Sequence, residues 1–438
     1  MQTYWIIANA KITFYIFAQK TPDPHVCNEN PYDYFSTKTS YFAVRSTDDI
    51  RLPRGCNVNR LWILARHGTR NPGDDSIIEI AKEGPRIQKE IIKKSSQSKG
   101  KICTLDMIDF KDWKFNLTTK DESLLTDSGF REHFELARKF KEDFPHILDI
   151  PYDPKLFKFR HTNKERTMKS AEGFAKGLFP YVKNVSMEKP LDKDPLLEFE
   201  DFCDKWKQDV DDSSDKYTER KQFLEGKEMQ SVLSNVRYYT GITEWTTNDT
   251  LFEDLKVLEY YEDLKYWYSN GYWKPVTTKM PCPLMKDLIE TFEMKSYLKA
   301  KLYKDDYPLK HSNYNETQNR QYKTSNIGSF SANVAFALIN CPSGRRIKIP
   351  QCSSEPCDYK EFKKRYKSSV ECNFDEICMF WQNKKRVFGE YQKKGIKLRE
   401  HVQMGIHHRD HLENKVEEGT THSRNSLDSR LSQEKNEK

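Results

Sequence analysis

Short apolar runs and longer amphipathic segments alternate along the chain. Residues 60–65 read RLWILA, an apolar run that is too short for a helix and is followed by a polar turn with Gly and Pro, which predicts a buried strand. Asp74 and Asp75 then precede an apolar stretch, and this acidic start predicts a helix. Residues 126–144 carry Phe and Ala at helical spacing, which predicts an amphipathic helix with one aromatic face. The order predicts a strand–loop–helix unit.

The remaining pattern divides the chain into regions. A short strand is predicted at 156–160 and a further helix over 172–179. From about 196 to 295 the pattern is helical and strand signals are nearly absent, which indicates a helical insertion. The apolar run SANVAFALINC at 331–341 predicts a late core strand. Residues 386–438 alternate charges without periodic apolar positions, so we expect a mobile, solvated tail.

Composition narrows the class of protein. The 438 residues have a mean hydropathy of −0.87, yet 13% are aromatic, which is enough for a substantial core. No run of about 18 uninterrupted apolar residues occurs, which excludes a multi-span membrane protein. Only residues 1–18 come near, and we interpret them as a signal peptide, with an uncleaved N-terminal strand as the alternative. The net charge of +7 is mild and does not indicate a nucleic-acid partner.

The ten cysteines favour disulfides over a zinc site. They form an even set without a CxxC pair, and the close pairs near the C-terminus have no nearby His to complete a metal site. Their clustering suggests local disulfides. Glycosylation sequons begin at four positions, Asn116, Asn184, Asn248 and Asn315. Together with the leader, these features predict the secretory pathway, in the ER lumen or outside the cell.

No metal or cofactor is predicted. Three histidines lie close together in the tail, but we interpret them as solvated residues: His407, His408 and His411. The sequence has no Gly-rich nucleotide-binding loop and no internal repeat.

The motif that carries chemistry follows the first predicted strand directly. Its sequence RHGTRNP places Arg66, His67 and Arg70 at the carboxyl end of a strand, where open α/β sheets bind ligands. The planar fork of Arg forms paired, charge-assisted hydrogen bonds with phosphate. Two neighbouring cations are expected to lower the pKa of His67, which keeps its imidazole neutral and able to attack phosphorus. The alternative is an ordinary polar loop.

The sequence RHGTRNP resembles the RHGxRxP signature of the histidine acid phosphatases. The resemblance implies an α/β fold over residues 31–385, with a central, mostly parallel sheet flanked by helices and a helical insertion. It implies that His67 is the catalytic nucleophile, which forms a phosphohistidine, and that Arg66 and Arg70 bind the phosphate. A second segment around 159–171 resembles the family's other phosphate-binding segment and matches it at Arg166. Arg160 is expected to support the fold or the wall of the site.

Further segments resemble the multiple inositol polyphosphate phosphatases within that superfamily. These are residues 34–41, 194–203 and 256–267. The resemblance implies a secretory-pathway phosphomonoesterase, whose partner is a small phosphorylated substrate. That substrate would be phytate, a lower inositol phosphate or 2,3-bisphosphoglycerate.

One part of the family pattern is missing. The family's His-Ala-Glu motif, whose acidic group is expected to protonate the leaving oxygen, does not occur, and none of the 11 histidines is followed by Ala or Asp. By order along the chain it belongs between 290 and 303, so a core strand is expected to be missing there. His311 is the nearest surviving histidine, and Glu290 and Glu293 are substitutes only if the backbone brings them to the site. The alternatives are therefore an active enzyme, a polyanion-binding variant without full catalysis, and a broad-specificity acid phosphatase.

Overall fold

A computed structural model describes residues 34–46, 50, 52–102, 104–243, 255–271, 274–293, 308–348, 356–367 and 371–379. These residues lie within one compact unit, Met1–Met379, and the second unit, Phe380–Lys438, falls outside them. The expectations for the signal peptide at 1–18 and for the tail at 386–438 therefore lie outside the described residues. No helix in the described ranges combines the length and the apolar character needed to cross a membrane.

The elements before the second strand are mostly helical. They are α1 Tyr41–Val44, β1 Asn57–Ala65, α2 Asp74–Ser96, α3 Thr104–Asp112, α4 Asp127–Asp143, α5 Pro145–Leu148, α6 Glu165–Leu178, α7 Asp204–Trp206, α8 Asp215–Leu224, α9 Lys227–Thr240, α10 Leu255–Asn270, α11 Pro275–Lys279, α12 Cys282–Glu293 and α13 Thr324–Ile327. The described residues between 196 and 293 form helices, turns and loops with no strand.

The elements that follow complete the sheet and two short helices. They are β2 Asn333–Cys341, β3 Gly344–Lys348, β4 Cys357–Asp358, α14 Tyr359–Tyr366 and α15 Phe374–Cys378. Short 3₁₀ turns occur at Ser36–Lys38, Thr119–Asp121, Phe199–Phe202 and His311–Asn313. The predicted late strand is confirmed as β2, and the predicted helix over 126–144 is confirmed as α4.

The described sheet has the order β1-β2-β3-β4, and each neighbouring pair is antiparallel. In β1 and β2, Asn57 lies opposite Asn340 and Ala65 opposite Asn333. This differs from the mostly parallel sheet that the resemblance implied. The reason is that the chain returns from its helices to the carboxyl end of β1, and β3 follows β2 through a tight turn, so both pairings must run antiparallel.

Helices cover both faces of the sheet, which makes this a sheet and helix fold of the α/β kind. On one face, Leu288 and Phe292 of α12 pack with Phe336 of β2 and Phe362 of α14. On the other face, residues of α4 and α6 pack against the alternate positions of β2, where Ile339 is fully buried. Separate apolar clusters join α2, α3, α9 and α10, and join α7, α11 and α15. Packing on both faces holds the sheet in place, and with it β1 and the loop that follows β1.

β1 lies at the edge of the sheet within the described residues. Its apolar stretch, residues 61–65, is half-buried, so the prediction of a strand is confirmed and that of complete burial is wrong. The strand predicted at 156–160 is also wrong, because this stretch has no strand pairing. Instead the Phe159 carbonyl accepts a hydrogen bond from the Glu188 backbone N–H at 2.8 Å. An extended segment becomes a strand only beside a partner, and no described strand pairs with residues 156–160.

Three disulfides join described residues that are distant in the sequence. They are Cys56–Cys341, Cys203–Cys378 and Cys282–Cys372, with separations of 285, 175 and 90 residues. The expectation of local bridges is therefore wrong for Cys372 and Cys378. Cys56 precedes β1 and Cys341 ends β2, so this disulfide closes the paired ends of the two strands. Long closed loops are those in which a disulfide most reduces the entropy of the unfolded chain.

Glycines allow α4 and α6 to approach closely. A Cβ atom on Gly177 of α6 would lie 2.3 Å from the Phe134 carbonyl oxygen of α4, and one on Gly173 would lie 2.8 Å from the Phe130 oxygen. Both distances are shorter than any packed contact. The spacing of four residues places these glycines on one face of α6, so the face is shaped for α4.

Gly177→Ala is expected to lower the free energy of unfolding by about 1–3 kcal/mol, because the new methyl group overpacks the helix contact. In an unconstrained helix the same change would stabilise by about 1 kcal/mol, so the sign separates packing from helix propensity. Urea unfolding followed by circular dichroism measures it. Gly73→Ala is the control, since a Cβ atom there has no neighbour within 4 Å. An unchanged or raised midpoint for Gly177→Ala would contradict the close approach.

Candidate active site

The loop after β1 is fixed to neighbouring segments through its backbone. The Arg66 N–H donates to the Ala332 carbonyl at 2.8 Å, and the His67 carbonyl accepts from the Ser331 N–H at 3.0 Å. Ser331 has a φ of 53°, a left-handed conformation that is uncommon outside glycine. Strained residues of this kind persist where the surroundings determine them, and they cluster at functional sites.

Gly68 is required by the contact between this loop and the start of α4. A Cβ atom on Gly68 would lie 2.3 Å from the Gly129 carbonyl oxygen. Its N–H donates to Ser170 Oγ at 3.0 Å, and that hydroxyl donates to the Arg166 carbonyl oxygen at 2.7 Å. The loop is thus connected to α6, the helix that carries Arg166. The close packing against Gly129 therefore explains why a glycine occupies position 68.

The buried carboxylate of Glu132 organises the surroundings of the loop. It accepts hydrogen bonds from Thr69 N at 2.8 Å and Thr69 Oγ1 at 2.7 Å. Ser40 Oγ donates at 2.6 Å, Tyr41 N at 3.3 Å and Ser331 Oγ at 3.1 Å. Glu132 is completely buried, so these donors replace the water that a carboxylate otherwise needs. Three distant parts of the chain meet on one side chain.

His67 is half-buried, and its ring is oriented by its own loop. Nδ1 lies 2.8 Å from the Gly68 carbonyl oxygen. A carbonyl oxygen only accepts, so Nδ1 carries the proton in the neutral ring and Nε2 keeps its lone pair. Burial and then the charge of Arg66 lower the pKa of His67 to about 3, with further contributions from Arg166 and Arg70. The imidazole is therefore neutral near pH 5–7, as the sequence predicted, although burial is the larger cause.

Arg66 is held with its guanidinium beside the ring of Phe330. Nη1 donates to the Thr37 carbonyl at 2.5 Å and to the Gly328 carbonyl at 2.7 Å. Cζ lies 4.7 Å from the centroid of the Phe330 ring, close enough for a cation–π interaction. The pKa of Arg66 is lowered to about 10. Burial is the largest cause, the charges of Arg70 and Arg166 also lower the pKa, and Tyr266 opposes them. Arg66 remains a cation at neutral pH.

Arg70 and Arg166 complete a cluster of three guanidinium groups. Arg70 Nη1 donates to the Asn71 carbonyl at 2.7 Å, and burial followed by the charge of Arg166 lowers the pKa of Arg70. Arg166 lies in the first turn of α6, and its buried Nε has no hydrogen-bond partner among the described residues. A buried donor of this kind gains most from a bound acceptor. The structure therefore brings together His67, Arg66, Arg70 and Arg166.

His133 supports the loop from α4. Its Nε2 lies 2.9 Å from the Arg66 carbonyl oxygen and therefore carries the ring proton. Burial lowers the pKa of His133 to about 4, so this ring is neutral too. Neither His133 nor Glu132 was identified from the sequence. The sequence signal that could have identified them is the presence of polar side chains on the buried face of an amphipathic helix.

Arg160 and His311 have other partners. Arg160 forms a bidentate ion pair with Asp194, with Nε and Nη2 at 2.8 and 2.9 Å from the two carboxylate oxygens. This agrees with the supporting role expected of it. His311 Nδ1 lies 2.6 Å from Oε2 of Glu219 in α8, so the structure attaches this histidine to the helical region. Glu290 is an exposed residue of α12. The structure therefore does not single out any of these residues as the missing acid.

The arrangement suits an anion with several oxygens. Three guanidinium groups offer planar donors, and the unprotonated Nε2 of His67 has a lone pair beside them. No group of three or more His, Cys, Asp or Glu side chains in the described ranges is placed to hold a metal ion, so no residue is assigned to a metal.

Comparisons with known proteins show which proteins this chain is similar to. The model of the histidine phosphatase superfamily (branch 2) matches residues 57–224. Multiple inositol polyphosphate phosphatase 1 of Drosophila melanogaster is 26% identical over 404 residues, which cover 78% of this chain and 86% of that protein. The protein of the same name from Gallus gallus is 25% identical over 427 residues, which cover 79% and 92%.

A solved structure shares the fold. The phytase from D. castellii superposes with a TM-score of 0.56 at 14% identity, covering 80% of this chain and 88% of that one. This likeness confirms the expected histidine phosphatase fold. The family match covers the loop, α4 and α6, and together with this likeness it leads to one conclusion: residues 57–224 are similar to the histidine phosphatase superfamily (branch 2), and the chain is similar over most of its length to multiple inositol polyphosphate phosphatases.

Proposed function

We propose that this protein is a phosphomonoesterase that hydrolyses inositol polyphosphates, such as phytate, through a phosphohistidine intermediate. The observation that carries the proposal is the neutral His67 ring, whose Nε2 is unprotonated beside Arg66, Arg70 and Arg166. The substrate class is supported by relatives named multiple inositol polyphosphate phosphatase 1 and by the likeness to a phytase. The related phosphoester 2,3-bisphosphoglycerate is a second substrate of the proposal.

In the first step, the lone pair of His67 Nε2 attacks phosphorus. A P–N bond forms while the bond from phosphorus to the ester oxygen breaks, and the electron pair leaves with that oxygen. The guanidinium groups donate hydrogen bonds to the remaining phosphoryl oxygens and balance their charge in the transition state. The Nδ1 hydrogen bond to the Gly68 carbonyl stabilises the imidazolium character that develops on the ring.

In the second step, water attacks the phosphohistidine. A new P–O bond forms, the P–N bond breaks, and its electron pair returns to Nε2. The water gives a proton to the solvent, which balances the proton taken up by the leaving oxygen in the first step, and inorganic phosphate leaves the site. The neutral ring is then ready for another substrate molecule.

The leaving oxygen of an inositol ester needs a proton, and the sequence lacks the family's His-Ala-Glu motif. General-acid catalysis is worth about 10²–10⁴ in rate, so this chain depends on another donor or on solvent for that proton. Turnover should accordingly depend on how good the leaving group is.

We also propose that the protein enters the secretory pathway. Disulfides persist in oxidising compartments, and three join described residues. Asn116, Asn184 and Asn315 of the sequons are exposed, as glycosylation requires, while Asn248 lies outside the described residues. The apolar leader at 1–18 supports the same route.

Phosphate release from p-nitrophenyl phosphate is expected to exceed release from phytate by about 10²-fold or more, because nitrophenolate leaves without a proton. His67→Ala should reduce release from both by roughly 10³-fold or more, since the nucleophile is gone. A malachite-green phosphate assay measures both rates. His146→Ala, at an exposed histidine of α5, is the matched control.

Equal turnover of the two esters would show that another residue donates the proton. Release from neither ester, by a protein that still binds phosphate, would support the polyanion-binding alternative. Full activity of His67→Ala would contradict the proposed nucleophile.

The acid limb of the pH profile should lie far below the ordinary range of histidine. Because burial and Arg66 lower the pKa of His67 to about 3, the nucleophile loses its lone pair only as the pH falls through that value. We expect kcat/KM for p-nitrophenyl phosphate, corrected for titration of the ester, to change less than about threefold between about pH 7 and pH 5. A fall with an apparent pKa near about 6.5 would contradict the buried, cation-flanked ring.

A further inference from the structure

A lysine lies beside the arginine cluster, in the 3₁₀ turn Ser36–Lys38. Lys38 Nζ donates to Thr37 Oγ1 at 2.8 Å, and the Thr37 carbonyl accepts from Arg66 Nη1 at 2.5 Å. Thr37 therefore contacts both the ammonium group of Lys38 and the guanidinium group of Arg66. Lys38 is half-buried, whereas lysine side chains without a specific role are mostly exposed.

A second lysine approaches the same turn from α10. Tyr266 Oη lies 3.4 Å from Thr37 Oγ1, and Lys265 Nζ lies 5.3 Å from the centroid of the Tyr266 ring. Burial lowers the pKa of Lys38 to about 8, and the charges of Arg66, Lys265 and Arg70 contribute, while Glu262 opposes them. Lys38 therefore interacts electrostatically both with Lys265 and with Arg66 and Arg70 beside His67.

More cations than anions surround Lys38. Its positively charged neighbours are Arg66, Arg70 and Lys265, and its negatively charged neighbour is Glu262. Glu262 also forms an ion pair with Arg220, so its charge is shared. Cations that are held close together are stabilised when an anion binds among them. One phosphoryl group at His67 would meet the three arginines, and the lysines border the same cluster.

A framework of hydrogen bonds fixes the two lysines relative to each other. Thr324 donates to Asp263 Oδ1 of α10 through its N–H at 2.8 Å and its hydroxyl at 2.6 Å. Its oxygen also lies 2.5 Å from Ser36 Oγ. Ser36 has a φ of 50°, so the turn holds a strained conformation. α10 and the turn that carries Lys38 therefore form one preorganised wall.

We propose that Lys38 and Lys265 bind a second phosphate group of the substrate molecule whose first phosphate lies at His67. The inference rests on the function proposed above. It assigns a preference of the enzyme for multiply phosphorylated esters to these two residues. A monoester would use the arginines alone, whereas a polyphosphate would also gain charge-assisted contacts with the lysines. The selectivity would come from cations that lie outside the RHGTRNP motif.

Binding measured by isothermal titration calorimetry tests this without requiring turnover. The probes are inositol hexasulfate, which carries several anionic groups, and inorganic phosphate, which carries one. Lys38→Met and Lys265→Met are each expected to weaken hexasulfate binding by about tenfold, and by at least about fivefold more than phosphate binding. Lys38→Arg should recover most of the loss, because it keeps the charge. Lys310→Met, at an exposed lysine, is the matched control.

The outcomes separate the two proposals. Hexasulfate binding by both methionine variants that equals that of the unaltered protein would overturn the second phosphate site and leave the proposed function standing. Equal losses for both probes would also overturn it, since the lysines would then act on the whole site. An unaltered protein that binds neither probe would contradict the proposed function itself. Thermal unfolding monitors folding, and Lys265→Met provides an independent test should Lys38→Met fail to fold.

Discussion

The site depends on a carboxylate that has no access to water. Glu132 is completely buried and accepts hydrogen bonds from Thr69, Ser40, Tyr41 and Ser331. An ionised carboxylate without these donors would be costly in the interior, so the donors must remain in place. They belong to the loop after β1, to α1 with its preceding residue, and to the approach to β2. One buried charge therefore determines how three parts of the chain meet around His67.

The same constraint shapes the chemistry. The loop turns tightly because Gly68 packs on Gly129, and the Gly68 carbonyl accepts a hydrogen bond from Nδ1–H of His67. The orientation and tautomer of the proposed nucleophile thus follow from backbone packing rather than from a separate side-chain partner. Around the ring, Arg66, Arg70 and Arg166 repel one another, and backbone carbonyls accept hydrogen bonds from Arg66 and Arg70. Such a cluster is prepared for a phosphoryl group before the substrate arrives.

Local patterns sufficed for part of this structure. β1, β2 and α4 follow from apolar spacing, and the motif that places His67 after a strand is contiguous in the sequence. Glu132 and Lys38 could not be assigned in this way, because their partners are distant and meet only in the folded chain. Disulfide pairing was unpredictable for the same reason, with partners as far apart as Cys56 and Cys341.

The failed strand at 156–160 and the half-buried β1 have a common explanation. Both segments have strand-like sequences, but pairing requires a neighbour, and within the described ranges β1 has only β2 beside it. The sequence lacks the family's His-Ala-Glu segment, which is expected to supply a core strand along with the acid. Loss of one segment would thus affect the sheet and the proton supply together, while the buried contacts that orient His67 remain.

The central claim is that His67 Nε2 attacks phosphorus, and chemical trapping tests it most directly. The protein is mixed with p-nitrophenyl phosphate, quenched in base, which preserves phosphohistidine, and digested for peptide mass spectrometry. We expect a phosphoryl group on His67 that is lost in acid and is absent from His67→Ala. Nitrophenol release without any phosphorylated His67, or a phosphoryl group carried by another residue, would contradict it.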